Sequence, residues 1–396
     1  MAWSEAVRSK VEYASRVRGC LLGGAIGDAL GAPVEFQTLE RILADAPDGG
    51  WVRDYRRYDD GSAWGSGLVT DDTQLTLFTA EGLIRAQVRF DDRGICHGAG
   101  VLHHAYARWY ATQTNPAPGR LGDRESMEGW LVTKRWLYSR RAPGTTCLAA
   151  LAGIGPGSGY GAPARNDSKG CGAVMRSAPI GLYPGGSRDR WSYDLAVEAA
   201  ALTHGHRTGQ VAAGALAHLI ALLADGLPLE RAVAATVELL DEVDRDGETV
   251  RALRRAVDLV GDGEPVPVRL ERLGGGWVAE EALAIAVHAA LSFPRFDQVR
   301  DALAFSVTHS GDSDSTGSIC GNLLGTLHGD LALPADLAFC VEGRGTILEL
   351  ADDFVYEFGL ARQKRLEPAG ASAGEVGGLQ RSQDPIPAWY ARYPGW

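Results

Sequence analysis

Two acidic clusters stand where helices should begin. The first, Gly67-Leu68-Val69-Thr70-Asp71-Asp72-Thr73-Gln74, runs into the amphipathic stretch LTLFTAEGLI. The second lies about 240 residues later: Thr308-His309-Ser310-Gly311-Asp312-Ser313-Asp314-Ser315-Thr316-Gly317, ahead of SICGNLLGTLHG. Helix capping is the plain explanation of each, with Asp71 as N-cap and Gln74 completing a capping box in the first. A cap, however, has no use for a second acid with a hydroxyl beside it. Asp312 and Asp314 are two residues apart, so in extended chain both carboxylates face one side, with hydroxyls at Ser313, Ser315 and Thr316 around them. Both clusters offer only hard oxygen ligands. No HExxH and no paired histidine accompanies them, which selects magnesium, manganese or calcium over zinc or copper.

A third acid-bearing segment, GCLLGGAIGDALGAPVEF, covers residues 19–36. Gly19, Gly23, Gly27 and Gly31 recur every four residues along one helix face. Each glycine costs about 1 kcal/mol of helix stability relative to alanine. Close approach of another backbone is the usual compensation, so the stripe reads as structural. Asp28 sits among small and apolar residues, where an unpaired charge would be costly. Glu35 follows Pro33, past the expected helix end, and reads equally as a solvated loop residue or as a further member of the acid set. Five carboxylates brought together from these three segments would raise one another's pKa or recruit cations. Two divalent ions about 3.5–4 Å apart would balance most of that charge.

The elements that must position these acids read as helical throughout. Apolar residues recur at three- and four-residue steps over 14–31, 72–88, 97–112, 127–139, 192–203, 209–224, 228–242, 247–260, 277–292, 297–308, 315–327 and 345–362. Alternating β-branched runs are missing, so the fold class is all-α. Long Gly/Pro/Asp-rich connections at 43–68, 113–126, 153–169, 184–190 and 261–276 have the character of functional loops. We expect one domain over 1–365, because the two halves of the site must meet. A flexible linker is expected over 366–384, and an aromatic tail over 385–396 (Trp389, Tyr390, Tyr393, Trp396) that docks on the body.

A formal net charge of −11 argues against a general nucleic-acid or anionic-membrane surface, although bound cations can still receive a phosphate-bearing ligand. The six widely spaced cysteines suit a reduced compartment. The opening MAWSEAVRSK has no apolar signal region. The apolar stretches 20–26 and 215–224 are too short to span a bilayer. The expectation is cytoplasmic.

Four stretches resemble the ADP-ribosylglycohydrolase family, in that family's order: G-x-x-x-G-D-A-L-G-x-x-x-E at 23–35, T-D-D-T-Q at 70–74, K-G-C-G-A-V-M-R-S-A-P-I-G at 169–181 and S-G-D-S-D-S at 310–315. Leu202-Thr203-His204 and the ending WYARYPGW fit as well. The resemblance implies a compact, single-domain orthogonal helical bundle with two Mg2+ or Mn2+ ions. Thr70, Asp71 and Asp72 match the first ligand group, and Asp312, Asp314 and Ser315 the second. Many members carry threonine at the position of Ser315, whose hydroxyl is an equivalent oxygen ligand. Glu35 matches a glutamate that reaches the metals or the scissile ribose. Ser168, Lys169, Gly170, Cys171 and Gly172 match a loop contacting diphosphate and ribose, with Cys171 where relatives often have asparagine. His204 matches a pocket histidine, whereas His103, His104, His206 and His309 read as structural.

The implied activity is metal-dependent hydrolysis of the N- or O-glycosidic bond between ADP-ribose and an acceptor, with Asp312 or Glu35 orienting and deprotonating water. ADP-ribosylated arginine on a protein is the first expectation for the substrate, and a small derivative such as O-acetyl-ADP-ribose the alternative. Diphosphate cleavage by a related binuclear chemistry would leave AMP instead of intact ADP-ribose. A catalytically silent ADP-ribose-binding protein is a reading of another class, against which the retention of all five acids speaks.

Overall fold

In the computed structural model, residues 2–46, 50–56, 66–118, 128–154, 161–245, 247–261, 263, 265–359 and 386–395 are described. Among them there is no strand, only one isolated antiparallel bridge between Gly170 and Val278. The helices are α1 (Ala2–Gly31), α2 (Leu39–Ala44), α3 (Asp71–Arg93), α4 (Gly98–Thr114), α5 (Thr145–Leu151), α6 (Ala178–Gly181), α7 (Trp191–Ala201), α8 (Arg207–Ala224), α9 (Leu229–Val243), α10 (Glu248–Val260), α11 (Ala279–Ser292), α12 (Val299–Val307), α13 (Ser313–His328), α14 (Ala335–Cys340) and α15 (Arg344–Phe358). A last helix spans Ile386–Arg392.

The glycine stripe of α1 finds its compensation in α13, which carries Gly317, Gly321 and Gly325 at the same four-residue spacing. A Cβ on Gly19 would lie 2.1 Å from the Gly325 carbonyl oxygen, one on Gly27 1.9 Å from that of Gly317, and one on Gly31 2.2 Å from that of Ser313. The pairing runs antiparallel and backbone to backbone. It therefore delivers the C-terminal end of α1, with Glu35 just beyond it, to the N-terminal end of α13, where Asp312 and Asp314 stand.

One apolar cluster runs from Val17 to Tyr393 and includes residues of nearly every long helix. By length and composition α8 could cross a membrane, but 78% of it is buried against its neighbours, as befits a core helix.

The sequence periodicity misreads one element. A helix was expected over 127–139; instead two 3-10 turns, Leu131–Thr133 and Arg135–Tyr138, flank an extended Lys134. Buried glutamines take the carbonyls that a helix would use: Gln113 Nε2 donates to Leu137 O at 3.2 Å and Gln74 Nε2 to Ser139 O at 2.9 Å. The short α2, α5, α6 and α14 fall below the length at which periodicity is legible. The linker expected over 366–384 lies outside the described residues, as does Trp396. Within the tail, Tyr393 is fully buried and its hydroxyl donates to Asp353 Oδ2 at 2.5 Å. Trp389 packs against Tyr356 with ring centres 4.7 Å apart and planes tilted by 58°, and the Arg392 guanidinium lies 3.8 Å from the Trp130 ring centre. Tyr390 remains 39% exposed.

Candidate metal and active site

The turn after α1 is tied to the loop before α13. Phe36 N–H donates to Gly311 O at 3.4 Å, and Leu39 N–H to Ser310 Oγ at 2.9 Å. Gly311 holds φ +127°, and a Cβ there would meet the Gly275 carbonyl oxygen at 2.1 Å. Only glycine fits, and the same carbonyl accepts the Asp312 N–H at 2.8 Å. The glycine-rich 274–276 loop thus cradles Asp312. The consequence is that carboxylate oxygens of Glu35, Asp312 and Asp314 lie within 4.8 Å of one another.

The start of α3 is capped otherwise than its sequence suggests. Thr70, not Asp71, is the N-cap, accepting the Asp72 N–H at 3.3 Å. Asp28 reaches over from α1, fully buried, and accepts from Thr70 N–H and Thr70 Oγ1 at 3.0 Å, from Thr73 N–H at 3.1 Å and from Thr73 Oγ1 at 2.5 Å. Gln74 takes no part in a capping box; its Oε1 accepts from Trp109 Nε1 at 3.1 Å. Asp71 and Asp72 are thereby released from capping. Asp71 keeps one weak donor, the Gly144 N–H at 3.3 Å, and the buried Oδ2 of Asp72 has no hydrogen-bond partner.

Burial comes first and mutual repulsion second in the electrostatics. Glu35 is pushed up to about 9 by burial and by Asp312 and Asp71, and Asp71 to about 8, chiefly by burial. Asp72 and Asp314 lie well above the usual carboxylate range for the same reasons. Among the described residues no arginine or lysine forms a salt bridge with any of these acids. Thr70 Oγ1 donates one bond and accepts one, which leaves one lone pair for a further partner. Ser315 is buried beside Asp312 and Asp314, its N–H 3.3 and 2.9 Å from their oxygens. An orphaned buried oxygen, crowded carboxylates and spare hydroxyl lone pairs suit hard cations.

The 168–172 loop meets this cluster at Cys171, whose thiol donates to Asp312 Oδ2 at 2.7 Å. Ser168 Oγ lies 3.1 Å from Thr146 Oγ1 and accepts the Gly170 N–H at 3.3 Å. The Cys171 N–H is taken by Trp277 O at 3.2 Å. Neither of these two loop N–H groups is therefore spare for a diphosphate. Lys169 Nζ is held by Glu248 at 2.9 Å and Glu280 at 2.5 Å, so its charge is engaged within the protein and braces the loop. His204 stands behind Gly170 and Gly172; its Nδ1 is 2.8 Å from Thr203 Oγ1, and burial pushes it down to about 3, which keeps it neutral.

Comparison with known proteins meets this geometry. The ADP-ribosylglycohydrolase family model matches residues 9–364, a span that holds every acid of the cluster. The chain belongs to the ADP-ribosylglycohydrolase family. It is 25% identical over 344 residues to an ADP-ribosylarginine hydrolase of Pseudomonas putida, covering 85% of this chain and 77% of that one. It is also 25% identical over 327 residues to the ADP-ribosyl-[dinitrogen reductase] glycohydrolase of Rhodospirillum rubrum, with coverages of 81% and 88%. Among solved structures, an ADP-ribosylglycohydrolase-related protein complex superposes with a TM-score of 0.63 at 25% identity, covering 87% of this chain and 99% of that one.

Three features of this family member escaped the sequence reading. Asp28 acts as a clamp from α1 on the start of α3. Arg176 lies inside the 169–181 stretch and is 1% exposed; its guanidinium donates to Gly172 O at 3.0 Å and Thr203 Oγ1 at 2.7 Å, fixing the loop and the partner of His204 together. Phe36 and Trp277, both exposed, stack with ring centres 5.0 Å apart. They adjoin Glu35 and the 274–276 loop in the chain, which makes them an aromatic rim. The only signal for it was a bulky aromatic directly after each site segment. Of the histidines read as structural, His309 is held by Ser310 O and Thr316 Oγ1, His103 Nδ1 accepts the Gly161 N–H and His206 Nδ1 accepts the Thr208 N–H.

Proposed function

We propose that this chain is a metal-dependent hydrolase that cleaves the glycosidic bond between ADP-ribose and an acceptor, releasing intact ADP-ribose. ADP-ribosylated arginine side chains of proteins are the favoured substrate. The observation that carries the reading is the meeting of Glu35, Asp312 and Asp314 within 4.8 Å, in the same electrostatic field as the buried Asp72, whose Oδ2 is unpartnered, and among the described residues no arginine or lysine forms a salt bridge with them. The arginine linkage is supported by the relative named as an ADP-ribosylarginine hydrolase.

Two magnesium or manganese ions held by Thr70, Asp71, Asp72, Asp312, Asp314 and Ser315 would neutralise the acids, polarise the ribose hydroxyls and acidify a water. Glu35 or Asp312, on facing helix ends, would orient a water toward the anomeric carbon and accept its proton. The water oxygen would bond to that carbon as the carbon–nitrogen bond breaks through an oxocarbenium-like transition state, and the electron pair would stay on the guanidine nitrogen, which takes up the proton that the carboxylate removed from the water. Gly170 and Gly172 present no side chain that would block the substrate, Ser168 Oγ offers a polar contact, and the neutral His204 closes the pocket behind them without adding charge.

The test is ADP-ribose release from an ADP-ribosylarginine peptide with magnesium or manganese and with chelator. Intact ADP-ribose that disappears on chelation and in Asp312→Asn is expected. AMP as product, or full activity after chelation, would overturn the reading.

A further inference from the structure

A second cavity, of about 400 Å³, opens between α3 and α4. Its wall includes Arg85, Arg89, His97, His104, Arg108 and Ile95. Arg85 is fourteen residues beyond Asp71 on α3, a rise of about 21 Å along a helix, so this cavity is separate from the acid cluster. Its chemistry is also opposite: three guanidiniums and two imidazoles gathered in a chain whose net charge is −11.

Among the described residues, the local acids meet only part of this charge. The buried carboxylate of Glu81 lies 2.6 Å from Arg108 but 3.9 Å from Arg85, and Glu128 comes no closer than 3.7 Å to Arg85. Arg85 is 3% exposed, and its Nη1 has no hydrogen-bond partner. The remaining bonds go to neutral acceptors: Arg85 Nε donates to Pro394 O at 2.9 Å and Arg89 Nη1 to Gly395 O at 3.1 Å. His97 Nδ1 accepts the Gly100 N–H at 3.0 Å, which leaves Nε2 as the proton-bearing donor nitrogen. The field of the cavity disfavours further positive charge: His104 is pushed down to about 4 by burial and by Arg108, Arg85 and Arg89. The Arg85 Nη1 donor has its ion-pair partner, Glu81 Oε1, only at 3.9 Å, so its hydrogen-bonding capacity is unmet, and a guanidinium fork matches the oxygens of phosphate. The volume suits a small molecule.

We propose that this cavity binds a small phosphate-bearing anion, held by Arg85, Arg89 and His97 against the apolar wall at Ile95. Because Arg85 and Arg89 also hold the carbonyls of Pro394 and Gly395, the occupied site braces the C-terminal segment against α3.

The test is calorimetric titration of the full-length protein with pyrophosphate, inorganic phosphate and ADP-ribose in chelator, which leaves the acid cluster without cations. Arms with the three ligands separate an inorganic anion from a nucleotide diphosphate. Saturable one-to-one binding of pyrophosphate is expected, with a rise in Tm, and Arg89→Gln should weaken it about tenfold or more. Ile95→Glu should weaken it comparably by placing a like charge at the mouth while leaving the bonds to Pro394 and Gly395 intact, so it decides the matter if Arg89→Gln loosens the tail. No saturable binding to the wild type, or equal binding in Ile95→Glu, would overturn the proposal.

Discussion

Burying a carboxylate oxygen without a donor is unfavourable by several kcal/mol unless the group is protonated or a cation takes the place of water. Asp72 is in that position, and the field of Asp71 and Asp312 adds to its burial. Asp72→Asn keeps the shape and removes the charge. In chelator it should be at least as stable as the wild type by thermal denaturation, and with magnesium or manganese its turnover should fall about a hundredfold or more. The titration of the same acids gives a second expectation. Glu35 and Asp71 sit near 9 and 8 when folded, against about 4 when unfolded. Between those values the folded state holds more protons, so stability in chelator falls as pH rises from about 4 toward 9 and is flat above. Cations that bind the ionised acids should remove that slope, as Tm measured against pH with and without magnesium will show. At this scale the acids stood out by residue type and spacing, although helix capping was the plainer reading of each cluster taken alone and their ligand roles came from the family resemblance. Asp28 as a clamp and Arg176 as a brace were not legible, because their partners lie 42 and 27 residues away along the chain. The capping box at Asp71 and Gln74 failed because the neighbouring Thr70 is the N-cap and Asp28 of α1 takes the Thr73 N–H.

The glycine stripes of α1 and α13 set the distance between Glu35 and the acids of α13. Gly27→Ala would place a methyl 1.9 Å from the Gly317 carbonyl oxygen, which forces the helices apart. The expected cost is about 1–3 kcal/mol or more, with a loss of cation affinity beyond what the change in stability explains, because the two halves of the cluster separate. Gly345→Ala, at the start of α15, meets nothing within 4 Å and should be neutral or slightly stabilising. Denaturation midpoints and manganese affinity of the two variants check the contrast. Half of this contact was legible: the α1 stripe announced a close backbone neighbour, and the matching Gly317, Gly321 and Gly325 were visible in the sequence without showing that they were its partner. Long amphipathic helices were readable to within a few residues, except α1, which was expected from residue 14 and begins at Ala2. The 131–138 segment was not, since buried glutamines from α3 and α4 override its local helical pattern.

Across the whole molecule, the acids of one site and the cations of another are held apart by a single apolar core, and each set is incomplete in the same sense: charge gathered beyond what its neighbours compensate. The all-α class followed from periodicity. The basic cavity could not be read from sequence, because Arg85, Arg89, His104 and Arg108 belong to two helices whose crossing brings them together. The account turns on three helix ends forming one cation pocket. The most direct measurement is the anomalous scattering of manganese in crystals of the protein soaked with the ion. Two peaks about 4 Å apart, in contact with carboxylates of both α3 and α13, are predicted. An absence of manganese from the cluster, or ions touching the acids of only one of these helices, would contradict it.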